Sequence, residues 1–177
     1  WPSGFGNGLI TGRGEAWQQK YLRYEQVAQE KQRKDGRTIA NISLDDGRLL
    51  HFYYDVNPFY VDTLDAQVTA AFLETIYRPY TERFRGDMGG AMPGFFTDEP
   101  QVSRNGIPWS LTLVNRYRAA FGEELLPRLP ELFLPLKEYQ RTRFRFWWLV
   151  QELFVTNFTQ QIYEWCERNN AQLTGHM

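Results

Sequence analysis

From Asp65 onward the apolar side chains fall into a stripe. Val68, Phe72, Ile76, Tyr80 and Phe84 recur every fourth residue, and Leu73 and Tyr77 widen it. That period predicts an amphipathic helix over about 66–84. Asp65 is placed to cap its N-terminus, and Pro79 to kink or end it. A longer stripe, Phe146, Leu149, Val150, Leu153, Phe154, Phe158, Ile162 and Trp165, predicts a helix over about 139–168 that Asn169-Asn170 stops. A third helix is expected over about 109–121, ending at Gly122. The segment 15–34 is rich in helix formers, with Trp17, Tyr21, Tyr24 and Ala28 at three- and four-residue steps. It also reads as a helix, with a strand beginning near Tyr24 as the alternative.

The remaining apolar runs are short. Thr38–Leu44 and Arg48–Val56 are β-prone and flank Asp45-Asp46-Gly47, a turn sequence with Gly available for positive φ, which predicts a β-hairpin. Residues 59–62, 93–98 and 171–175 predict three more strands, each separated from the next by helix. The Gly-rich stretch 2–14 and the Pro-containing stretch 123–137 read as irregular. Short strands alternating with helices predict parallel pairing through right-handed crossovers. The expected fold is therefore α/β. It is part of a (β/α)8 TIM-type barrel with parallel strands over 1–177, carrying the β-hairpin at about 37–56 as an insertion. An open α/β sheet is the alternative.

Composition narrows the function classes. The chain has 177 residues, enough for one domain with a real core. The formal net charge of −1 gives no electrostatic reason to expect nucleic acid or an anionic membrane as partner. Cys166 is the single cysteine, which excludes an intrachain disulfide and a Cys-based zinc site. No apolar run reaches the roughly 18 residues that a membrane span needs. Aromatic residues make up 16 %, enough to build a core and to line a site that stacks on flat apolar ligand faces. The chain opens on Trp1 and closes on "QLTGHM", and the expectation is a piece of a larger protein.

Candidate chemistry gathers where the expected strands end. In parallel α/β folds, reactive groups sit at the carboxyl ends of strands. Here those ends carry Asp62, then Asp98 and Glu99, then His176. Asp62 reads as a residue that bonds the backbone at its strand end. In "GFFTDE", alternation puts Phe95, Thr97 and Glu99 on one face and Phe96 and Asp98 on the other. "TDEP" has two readings: turn chemistry, or a carboxylate held for catalysis. Trp1 and Trp109 fall in expected loops, so they are better ligand candidates than the helix aromatics Trp147, Trp148 and Trp165, which read as packing residues.

The series "WPSG", "FYVDTLD…F…TIYRPYTERF", "PGFFTDEP", "PWS", "LPELF" and "F…QIYEWCERNNAQLTGHM" resembles the catalytic barrel of large bacterial glycoside hydrolases of the α-L-rhamnosidase-like type. The resemblance runs from Trp1 to Met177 apart from the hairpin, and it departs from the family in stopping about halfway round the barrel. It implies a carbohydrate substrate, with Glu99 as the catalytic carboxylate. Trp1, Asp98, Trp109 and His176 are implied as substrate-binding residues. Glycoside hydrolysis ordinarily uses two carboxyl groups, one of them a general acid. Glu99 fits the acid if Phe95 and nearby Trp residues supply the apolar surroundings that keep it protonated. No cofactor is implied for this chain and no metal ligands are assigned. Calcium in the intact protein is implied only because the family includes calcium-dependent members. The isolated chain is expected to be inactive, and to self-associate because a partial barrel leaves strand edges and helix stripes uncovered. The alternatives are a non-catalytic carbohydrate-binding or scaffold module, and a small α/β protein whose aromatics form only a core or a dimer face.

Overall fold

A computed structural model describes residues 8–176; Trp1, with the rest of "WPSG", and Met177 lie outside the described residues. The strands among them are Gln18–Val27 (β1), Thr38–Ser43 (β2), Leu49–Val61 (β3), Gly94–Asp98 (β4), Ile107–Trp109 (β5) and Gln172–His176 (β6). The helices are Ala66–Phe72 (α1), Arg78–Arg83 (α2), Leu113–Phe121 (α3), Leu129–Phe133 (α4), Tyr139–Phe154 (α5) and Gln160–Arg168 (α6). A π-helical turn, Leu73–Tyr77, joins α1 to α2, and another, Val155–Thr159, joins α5 to α6.

The strands do not form a partial barrel. Four of them make an antiparallel sheet in the order β2-β3-β1-β5, and β4 and β6 form a separate parallel pair. The fold is mixed α/β. Two misreadings of the pattern account for the difference. The first is 15–34, where β1 stands in place of a helix. Its ten residues ladder against β3, from Gln18 opposite Val61 to Val27 opposite Leu49, and that pairing overrides the local helix propensity. The second is 59–62, which is the end of β3 and not a strand of its own. β3 continues past Asn57-Pro58 through a shift of register, with Asn57 opposite Gln19 and Val61 opposite Gln18, so its end still pairs antiparallel with β1. Of the three strands expected to be parallel neighbours, only 93–98 and 171–175 are.

The hairpin forms as expected. Leu44 N–H bonds Arg48 O at 2.8 Å, and Gly47 takes φ +85° in the turn. Both long helical segments also form. Asp65 caps α1 by accepting from Gln67 N–H at 2.9 Å. Pro79 does not end its helix. It lacks an N–H and its ring crowds the carbonyl four residues back, and the π turn just before it widens the backbone there. One residue is thereby inserted into the stripe. From the end of the turn the buried positions are Tyr77 and Thr81, while Tyr80 is 51 % exposed.

Two apolar cores result. The antiparallel sheet packs Leu22, Leu50 and Phe52 against Leu113, Tyr117, Leu129, Phe146 and Leu149 from α3, α4 and α5. The second core joins Tyr60 and Val61 of β3 to Val68, Phe72, Tyr77, Phe158, Ile162 and Cys166. The helix 139–168 thus serves the first core with α5 and the second with α6, and its π turn lies at the changeover. The parallel pair sits on the second core through Phe95 and Leu173.

Candidate active site at the ends of the parallel strands

β4 and β6 are in register from Gly94 opposite Gln172 to Asp98 opposite His176. Residues opposite one another in such a pair share a face. On the inner face Phe95 stacks on Tyr77, with ring centroids 4.1 Å apart, and Thr97 is buried. On the outer face lie Phe96, Asp98 and His176, all exposed. Asp98 Oδ1 is 3.1 Å from His176 Nδ1, and the Phe96 ring meets the imidazole edge-on at 5.3 Å. A carboxylate can only accept, so Nδ1–H donates to Asp98. Close approach of the two strands depends on glycine. A Cβ at Gly94 would collide with Gln172 O, and one at Gly175, where φ is +155°, with Thr97 O.

Glu99 leaves the strand. Its N–H still bonds His176 O at 3.0 Å, but its φ is +43°. A left-handed backbone costs a non-glycine residue roughly 1–2 kcal/mol, so the surroundings must hold it. They do so two residues on. Gln101 N–H donates to the Tyr60 hydroxyl at 3.0 Å, and Gln101 O accepts from Thr63 Oγ1 and Gln19 Nε2, each at 3.2 Å. Gln19 Nε2 also reaches Val102 O at 3.2 Å, and its Oε1 accepts from Tyr21 Oη at 2.6 Å and Asn57 Nδ2 at 3.2 Å. Gln19 is buried at 3 % exposure, and its donor and acceptor are both in use. Glu99 is thus suspended between the end of the parallel pair and a backbone segment clamped to the antiparallel sheet. Its side chain is exposed. The positive φ breaks the alternation that would have put it beside Phe95 and Thr97. The apolar surroundings expected around it are therefore not there, since Phe95 packs on Tyr77 instead.

The other expected site residues are placed elsewhere. Trp109 is in β5, not a loop, and is 4 % exposed in the first core, opposite Lys20 on β1. Trp1 lies outside the described residues. Asp62 does bond the backbone at its strand end, accepting from Leu64 N–H at 3.1 Å. It also has a partner the sequence did not suggest: Lys20 Nζ at 3.7 Å, with side-chain exposures of 3 % for Asp62 and 0 % for Lys20. Lys20 Nζ further donates to Gln18 O at 2.6 Å and Ala16 O at 3.2 Å. Burial pushes the Asp62 carboxyl up to about 6, against the pull of Lys20 and a hydrogen bond from Ser110, and burial pushes the Lys20 ammonium down. Desolvation outweighs attraction on both sides of the pair. Among the described residues no group of three or more His, Cys, Asp or Glu is placed to hold a metal ion.

Neither a protein-family profile nor a curated protein sequence matches the chain. Among solved structures, a rhamnosidase from Novosphingobium sp. PP1Y is similar, with a TM-score of 0.52 and 15 % identity over 75 % of this chain. The chain spans 14 % of that rhamnosidase. At that identity the likeness is one of fold, and it extends to part of a much longer enzyme.

Proposed function

We propose that this chain belongs to an α-L-rhamnosidase-like glycoside hydrolase and supplies its general acid, Glu99. The observation that carries the reading is the backbone at Glu99. A left-handed charged residue, clamped on both sides and set beside the Asp98–His176 pair, is the kind of held backbone that gathers at positioned catalytic groups. The fold likeness to part of a rhamnosidase supports the same class. In this reading Glu99, which takes its apolar surroundings from parts of the enzyme outside this chain, protonates the departing glycosidic oxygen as the C–O bond breaks. Asp98 holds the imidazole so that Nε2 accepts a hydrogen bond from a sugar hydroxyl, and Phe96 offers an apolar ring beside it. Asp98 is committed to His176, so Glu99 takes one of the two carboxyl roles and the nucleophile or base is a different group. The 177-residue chain alone then binds sugar without turning it over.

A second reading, a non-catalytic carbohydrate-binding or scaffold module, is favoured by the openness of Asp98, Glu99 and His176 to solvent. Sugar binding tests what the two readings share. Titration of the isotopically labelled chain with L-rhamnose, followed by amide NMR, is expected to shift residues 96–101 and 174–176 saturably. The same response to D-glucose, or none to L-rhamnose, contradicts the rhamnoside assignment. Glu99→Gln should leave this binding intact under both readings and, in the protein as its gene encodes it, lower turnover only under the first.

A further inference from the structure

At the opposite ends of β4 and β6, where both strands begin, lies a concavity that the hydrolase reading does not use. It is a cleft of about 470 Å³ between α2 with its following loop and the end of α6. Arg78, Arg85 and Arg168 line it against one carboxylate, Glu82, and Trp165 and Met88 are also in its wall. The three cations differ in how far they are satisfied. Arg78 is held on both sides, to Glu74 at 2.6 Å and Glu82 at 2.9 Å. Arg168 has only Glu164 at 3.7 Å, beyond hydrogen-bond length, and its side chain is 63 % exposed. Arg85 has no carboxylate within ion-pair distance among the described residues, and it is exposed.

The neighbouring amides are already engaged. Asn169 Nδ2 donates to Trp165 O at 2.8 Å and Asn170 Nδ2 to Met88 O at 3.0 Å, while Thr81 Oγ1 donates to Arg78 O at 2.9 Å. The Asn170 bond ties the α6 terminus to the loop after α2, while the other two are internal to their own walls. The unspent charge facing the space is that of Arg85 and Arg168, one from each wall. Two guanidinium forks lining one cleft suit the several acceptor oxygens of a tetrahedral oxyanion better than a single point charge.

We propose that this cleft binds a phosphate-type oxyanion, free or as the phosphoryl group of a small ester, between Arg85 and Arg168. Both arginines are solvated, so binding is weak, in the millimolar range, and falls with added salt. The site is remote from Glu99 in the fold and does not depend on the hydrolase reading.

The test is amide NMR of the labelled chain titrated with sodium phosphate at constant ionic strength, with chloride as the balancing anion. A second arm uses glucose 1-phosphate. Saturable shifts are expected at residues 81–90 and 165–170, with the Trp165 indole N–H moving among them. A response to phosphate itself marks a free-anion site, and a response to the ester at least fivefold tighter marks an ester site; either supports the proposal. Arg85→Gln and Arg168→Gln, both at exposed positions, are each expected to weaken binding at least fivefold while the rest of the spectrum stays unchanged. Arg116→Gln, exposed on α3, should have no effect. Drift without saturation in both arms, or equal binding by wild type and Arg85→Gln, overturns the proposal.

Discussion

Lys20→Met is the substitution whose cost follows most directly from the structure. The side chain has 0 % exposure, and its ammonium serves Asp62, Gln18 O and Ala16 O together. Met keeps most of the volume and removes the charge, leaving a buried carboxylate and two carbonyls short of a donor. Breaking a buried ion pair from one side costs about 3–5 kcal/mol. The cost depends on pH in a definite sense. With Lys20 present, burial already raises the Asp62 carboxyl from 3.8 to about 6. A raised pKa means the folded chain holds this proton more tightly than the unfolded chain does. The group therefore favours folding fully below its unfolded value, and that contribution is lost as pH rises through about 6. The amount at stake is about 3 kcal/mol at 1.36 kcal/mol per unit.

Without Lys20 only the hydrogen bonds from Ser110 and Leu64 N–H still oppose the desolvation, so Asp62 takes up its proton at still higher pH. Lys20→Met should accordingly cost its full amount at about pH 8 and distinctly less at about pH 5, where the carboxyl is neutral in the folded state. Urea unfolding followed by tryptophan fluorescence at the two pH values reads both numbers. The Asp62→Asn variant in parallel subtracts every other titrating group. Replacing both partners, as Lys20→Met with Asp62→Leu, should recover much of the loss, because it removes the uncompensated charge. A cost below about 1 kcal/mol for Lys20→Met at both pH values would show that water reaches the pair, and would refute the reasoning.

Three further outcomes are expected. Gly175→Ala forces a Cβ onto Thr97 O at a φ of +155° and should open the parallel pair. Hydrogen exchange at Glu99 N–H should then rise sharply, and unchanged protection would mean that the strands need no glycine there. Glu99→Gly should be neutral or stabilising by up to about 1 kcal/mol, since it relieves the left-handed backbone; a loss above that size would mean that the side chain itself holds the fold. His51 is fully buried, with Nδ1 3.0 Å from Asn41 Oδ1 and Nε2 unpartnered, and burial lowers its pKa below 6.5. Its contribution to stability is complete above pH 6.5 and is lost as pH falls, because the unfolded chain takes the proton first. A ring titration by NMR with a midpoint at or above 6.5 contradicts that placement.

Helices and turn chemistry were legible in the chain; long-range pairing was not. The stripes over 66–84 and 139–168, the Asp65 cap and the Asp45-Asp46-Gly47 hairpin turn depend on neighbours in sequence, so local pattern locates them. The π turns were visible in principle. Leu149, Leu153, Phe158, Ile162 and Cys166 are spaced four, five, four and four apart, and the step of five is the inserted residue. β1 escaped because helix formers such as Gln18, Gln19 and Lys20 stand where the ladder with β3 decides the backbone. That misreading also hid Gln19 and Lys20 as buried polar anchors. The end of β3 escaped because Asn57-Pro58 looks like a break, and with it went the barrel. At the candidate site, Asp98 and His176 are brought together as their strand-end positions suggested. The backbone strain at Glu99 and the clamp on Gln101 come from residues some 40 to 80 positions away, where no local pattern points.

The claim at the centre is that Glu99 protonates a departing glycosidic oxygen. Its most direct measurement is the leaving-group dependence of Glu99→Gln in the protein as its gene encodes it, on α-L-rhamnosides. With a poor alkyl leaving group, turnover should fall by roughly two to four orders of magnitude, the usual contribution of a general acid. With an activated aryl leaving group, which departs without a proton, the fall should be far smaller. Near-normal turnover of Glu99→Gln on both substrates would contradict the assignment and leave "TDEP" as turn chemistry.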